Sequence, residues 1–103
     1  MTKQEMLQDQ SWMGPLNPIT LNRERLVCKN GVSLSLQASR KHYCSPKNNV
    51  GPYELVEVGF IEGCEKPQSF QPYVMALSEG EIFDHIPLEI VVDFILENGG
   101  LKD

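Results

Sequence analysis

Asn30-Gly31, set between Glu24-Arg-Leu-Val-Cys-Lys29 and Val32-Ser-Leu-Ser-Leu-Gln37, most limits the folds open to this chain. Asn-Gly readily takes the positive φ angles of a tight turn, and apolar–polar alternation beside it gives a strand with one buried face. The stretch predicts a β-hairpin with a two-residue type I′ turn. In that register Lys29 opposes Val32 and Val27 opposes Leu34. Val27 then shares the buried face with Val32, Leu34 and Leu36, while Cys28 joins Ser33, Ser35 and Gln37 on the other.

A third strand is predicted over Tyr53–Ile61, with Val56, Val58 and Phe60 on one face, Tyr53, Leu55 and Glu57 on the other, and Gly59 marking a bulge. Gly63, Pro67 and Pro72 make residues 62–72 a loop; Tyr73–Leu77 reads as a short edge strand and Ser78–Glu81 as a turn. From Ile86-Pro87 to Asn98 the spacing turns helical: Leu88, Val91, Val92, Ile95 and Leu96 form a stripe, and Gly99-Gly100 suits the C-terminal cap. The predicted fold is α+β: a small antiparallel sheet of three to four strands with one C-terminal helix packed on one face. With 103 residues there is room for one domain. Its expected extent is 23–103, preceded by a polar N-terminal arm, 1–22, in which Gly14-Pro15 and Asn17-Pro18 interrupt regular structure. Trp12, the only tryptophan, has two readings: it pins the arm to its own domain, or it anchors a partner.

Charge is divided along the chain. Residues 1–50 carry seven basic and three acidic groups, and residues 51–103 carry two basic and eleven acidic, for a net charge of −5. That balance disfavours direct nucleic-acid binding, which depends on neutralising phosphates, and suits a basic partner surface. No apolar run is long enough for a membrane span and the N-terminus lacks a secretory signal, so the expected location is cytoplasmic. Three widely spaced cysteines do not form a disulfide framework.

The chemistry-bearing side chains gather between the second and third strands. Arg40, Lys41, His42 and Tyr43, with Lys47 and Tyr53 nearby, combine cations and aromatics in a loop of about fifteen residues, a length that points to function. Three alternatives arise from it. Cys28, His42, Cys44 and Cys64 supply ligand types for zinc, yet only His42 and Cys44 are close in sequence, against the paired spacing of zinc ribbons. Cys44 beside His42 is a candidate thiol nucleophile without a third member. The cations and aromatics also suit nucleotides or single strands. No glycine-rich phosphate cradle is present. No cofactor, no metal and no catalytic residue is expected. On the helix, Glu89, Asp93 and Glu97 recur every four residues, and Glu79, Glu81 and Asp84 precede them, giving an acidic strip.

Val27-Cys28-Lys29-Asn30-Gly31, Gln37-Ala38-Ser39, His42-Tyr43-Cys44-Ser45-Pro46, Gly51-Pro52-Tyr53 and Val56-Glu57-Val58-Gly59-Phe60 together resemble a family of small uncharacterised proteins of tailed bacteriophages and prophages. The resemblance covers about residues 25–101 and leaves the arm outside; Met75–Phe83 is shorter than the family pattern. It implies a phage setting within a bacterial host cell and carries no residue role. The resulting expectation is a non-enzymatic binding protein that inhibits or modulates a host protein or protein–nucleic-acid complex, including components of bacterial defence. The candidate contact residues are Trp12, Arg40, Lys41, His42, Tyr43, Tyr53, Glu89, Asp93 and Glu97. An exposed sheet edge would also leave room for a homodimer.

Overall fold

Alternation in the middle of the chain and a helical stripe at its end produce two packed layers in a computed structural model that describes residues 1–103. The elements are α1 (Lys3–Gln8), β1 (Leu26–Val27), β2 (Ser33–Gln37), β3 (Leu55–Glu62), β4 (Ile82–Pro87) and α2 (Leu88–Glu97), with 3₁₀ turns at Ser11–Met13 and Gln68–Tyr73. The sheet is antiparallel in the order β1-β2-β3-β4. Leu34, Leu36, Val56, Val58, Phe83 and Ile86 meet Leu88, Val91, Val92 and Ile95 of α2 in one core. Phe70 closes it, with its ring centroid 5.4 Å from Phe83 and 5.3 Å from Phe94. No helix is long and apolar enough to cross a membrane.

The hairpin forms, but one residue out of the predicted register. Leu26 pairs with Leu34 and Val27 with Ser33. The turn is a three-residue loop, Lys29-Asn30-Gly31, in which the Gly31 N–H donates to Cys28 O and the Cys28 N–H to Val32 O. Gly31 has φ +93°, and the Asn30 side chain accepts from the Val32 N–H. This is the alternative hairpin connection, a turn followed by a left-handed glycine. A slip of one residue exchanges the faces of a strand. Cys28 is therefore fully buried and Leu26 packs on the core, while Val27, expected inside, is exposed.

Two bulges produce the other departures. In β3 the pairing with β2 shifts between Gly59 and Glu62. Phe60 sits there at φ +51° and is 51% exposed, whereas Ile61 takes the inward place that alternation assigns to Phe60. In β4 the pairing passes from Val56↔Ile86 to Val58↔Phe83, so Asp84 and His85 together face Glu57. His85, at φ +48°, is the kinked residue. Phe83 and Ile86 are both buried although three apart in sequence, which hides this strand from a two-residue period. The fourth strand is thus Ile82–Pro87, not Tyr73–Leu77, which ends one 3₁₀ turn and pairs with the sheet at a single bridge, Val74–Phe83.

Residues 1–22, read from sequence as a polar arm, lie against the domain. A Thr2–Glu5 capping box starts α1, which packs on α2. Met6 and Met13 are core residues at 2% exposure each. At the opposite end, the tail covers the β1 edge: Leu101 pairs with Cys28, and the Lys102 N–H donates to Val27 O.

Candidate functional site

Between β2 and β3 the chain leaves the sheet at Ala38 and returns at Ser45, which pairs with Leu55. Ser39, fully buried, is the hub of the excursion. Its Oγ lies 2.6 Å from His42 Nδ1 and accepts from the Lys41 N–H at 3.1 Å. Its carbonyl accepts from the Cys44 thiol at 3.2 Å. Asn22 Oδ1 accepts from His42 Nε2 at 3.2 Å, so the ring is protonated on Nε2 and Ser39 O–H donates to Nδ1. Both ring nitrogens are occupied, and neither serves Cys44. Burial holds the His42 pKa below the ordinary imidazole value, with Glu57 opposing and Lys41 and Arg23 assisting. Burial also raises the Cys44 thiol, so the group is a thiol donor and not a thiolate.

The second half of the loop is fastened equally well. Asn48 Oδ1 accepts from the N–H groups of Val50 and Gly51, and Asn49 Oδ1 from that of Arg40. Tyr53, proposed from sequence as a contact residue, is 4% exposed. Its hydroxyl donates to Asn48 O, its backbone exchanges two hydrogen bonds with the Gln10 amide, and burial raises its pKa.

With the polar interior satisfied, the loop projects Arg40, Lys41, Tyr43 and Lys47 outward. Tyr43 is 48% exposed, and Lys47 Nζ stands 5.5 Å from its ring centroid. The Tyr43 N–H donates to the Glu57 carboxylate and its carbonyl accepts from the His85 N–H, which carries the loop across the sheet face opposite α2. The Tyr43 and His85 rings are 6.2 Å apart. The β4 bulge that kinks His85 therefore helps to seat Tyr43.

The acidic strip lies on the other side of the sheet. Glu89 and Glu97 are exposed, but Asp93 is paired with Lys3 at 3.1 Å and Glu81 with Lys66 at 2.9 Å. Asp84 contacts His85. Cations distant in sequence thus divide the strip; Glu89, Asp93 and Glu97 lie across the sheet from Tyr43, and Asp84, through His85, reaches it. Trp12 is half-buried; its indole N–H donates to Met6 O at 2.8 Å, and its ring packs on the core.

The four candidate zinc ligands do not converge. Cys28 lies at the hairpin, where burial and the neighbouring Cys64 raise its pKa, while His42 and Cys44 lie beyond the far end of β2. No group of three or more His, Cys, Asp or Glu side chains is placed to hold a metal ion.

Arg23 has no motif to announce it, yet it joins arm, sheet and loop. Its Nη1 donates to Gly14 O at 2.6 Å and its Nη2 to Ala38 O at 3.1 Å, and its guanidinium carbon stands 5.9 Å from the Tyr53 ring centroid. The Gln37 side chain accepts from the Arg23 N–H and donates to its carbonyl.

No family model, no curated protein and no solved structure matches this chain.

Proposed function

We propose that this is a non-enzymatic binding protein, of the tailed-phage or prophage kind that its loop motifs resemble, which engages a host protein through the 39–53 loop. One observation carries the reading. The groups in the loop best suited to chemistry, His42, Cys44 and Tyr53, spend their polar atoms on the loop's own backbone and neighbours. Arg40, Lys41, Tyr43 and Lys47 face outward from the frame so formed. A fixed loop loses little conformational entropy on binding, and tyrosine and arginine are the usual anchors of interfaces. Three exposed cations on one loop, one of them over the Tyr43 ring, favour an acidic protein surface, and inhibition of the host component would follow from covering that surface. Overall acidity disfavours nucleic acid as the direct partner.

The test is capture from a bacterial host lysate with three forms of the tagged protein. Lys41→Glu/Tyr43→Ala should lose a specific host protein that the parent and Glu89→Lys/Glu97→Lys retain, with thermal unfolding unchanged in all three. Equal capture by all three forms, or capture by none, would sink the reading.

A further inference from the structure

The cleft between the arm and the loop raises a separate question. It holds about 470 Å³ and is walled by Gln8, Ser11 and Gly14 on one side and Asn49, Val50 and Tyr53 on the other. Arg23 is the only charged side chain among its lining residues.

Arg23 is unusual among the cations of this protein. Lys3, Arg25 and Lys66 each have a carboxylate within salt-bridge distance, and all three pairs lie near the surface. Arg23 has none, although it is half-buried and wedged between Gly14, Ala38 and Tyr53. Its two hydrogen bonds go to neutral carbonyls, the neutral Tyr53 hydroxyl stands alongside, and no carboxylate accepts from it. Nε is the one buried side-chain nitrogen or oxygen in the molecule with no hydrogen-bond partner. A partly desolvated guanidinium without a counter-charge is costly, and a buried polar atom left unpaired calls for an explanation. The lining supplies a cation and neutral amide and hydroxyl groups, and no anion.

We infer that the arm–loop cleft is a binding site for a small oxyanion, the carboxylate or phosphate group of a ligand held by Arg23. An oxyanion there supplies the missing charge and accepts the Nη–H donors left over from the two carbonyls. Gln8, Ser11 and Asn49 stand around it as neutral hydrogen-bonding groups. Because Arg23 also ties Gly14 to Ala38, occupancy fixes the arm against the loop. The inference is independent of the partner-binding reading, since Arg40, Lys41 and Tyr43 do not line this cleft.

The test is a ¹H–¹⁵N titration of the full chain that follows the Arg23 Nε–H resonance and the Gly14 and Asn49 amides. Inorganic phosphate, sodium acetate and sodium chloride are added in separate arms at matched ionic strength. Saturable shifts at these positions with phosphate, acetate or both, absent with chloride, are the expected result; the arm that saturates names the oxyanion. Gln8→Glu, on an exposed position of α1, puts a carboxylate at the rim and should weaken binding at least tenfold with unchanged thermal unfolding. Arg23→Lys should lose the saturable response even if its stability falls. Shifts that are linear, equal in chloride, or unaltered in Gln8→Glu would overturn the proposal.

Discussion

Ser39 Oγ stands 2.6 Å from His42 Nδ1, both groups buried, at the root of a loop whose tip is exposed. This contact couples the end of β2 to the display of Tyr43. The same serine also caps the Lys41 N–H and offers its carbonyl to Cys44. Replacing it by alanine strands an imidazole nitrogen and an amide. A buried group left unsatisfied costs about 1–3 kcal/mol, so Ser39→Ala should lower the unfolding free energy by that amount in urea titrations. Amide exchange at residues 41–44 should quicken beyond the global change. A variant as stable as the parent, with an unchanged loop, would contradict the role given to Ser39.

His42 gives the fold a pH dependence of known sign. Its folded pKa lies below the ordinary imidazole value of 6.5, chiefly through burial. In the interval between the folded value and 6.5 the unfolded chain binds a proton that the folded chain refuses. The contribution of His42 is therefore complete above 6.5, declines as pH falls through that interval, and levels off below the folded pKa. The His42 ring protons should titrate below 6.5 by NMR in the native protein, and His42→Gln should remove this part of the acid-side slope. A native midpoint at or above 6.5 would refute it.

Met6 and Lys3 separate packing from charge in the docking of α1. Met6 is 2% exposed in the core, whereas the Lys3–Asp93 pair is more than 40% exposed on both sides. Truncating a buried methionine costs about 2–5 kcal/mol, and an exposed ion pair contributes about 0–1 kcal/mol. Chemical denaturation should find Met6→Ala much more destabilising than Lys3→Ala. Similar losses would mean that the ion pair, not the core, holds the helix.

Leu77 offers a stabilising change. It is fully exposed and sits at φ +68° in the turn before β4. Its side chain therefore has no packing to lose, while a left-handed conformation costs a residue with a branched side chain about 1–2 kcal/mol. Asparagine tolerates that region. Leu77→Asn should raise the unfolding free energy by about 0.5–1 kcal/mol, measured by the shift in denaturation midpoint. A lower midpoint would show that Leu77 packs in the turn.

Local rules carried a good part of the fold. The alternation of Val32, Leu34 and Leu36 and the stripe from Leu88 to Ile95 identified a sheet packed on a C-terminal helix, because those periods place apolar groups on single faces whatever surrounds them. Asn30-Gly31 located the hairpin. The display of Arg40, Lys41 and Tyr43 was also legible, since charged groups and loops go to the surface.

What only the tertiary structure decided lies where one residue more or less reverses a face, or where partners are far apart in sequence. A three-residue turn in place of two turned Cys28 inward and Val27 outward, and the bulges at Phe60 and His85 broke the strand period. Alternation reports the faces of a regular strand and cannot register an inserted residue. Distance did the rest: Asn22 and Ser39 occupy both ring nitrogens of His42, Lys3 interrupts the acidic strip at Asp93, and Arg23 meets Tyr53 across the chain. Sequence supplied the residue types, and packing determined that His42, Cys44 and Tyr53 support the loop from within while an unannounced arginine faces the cleft.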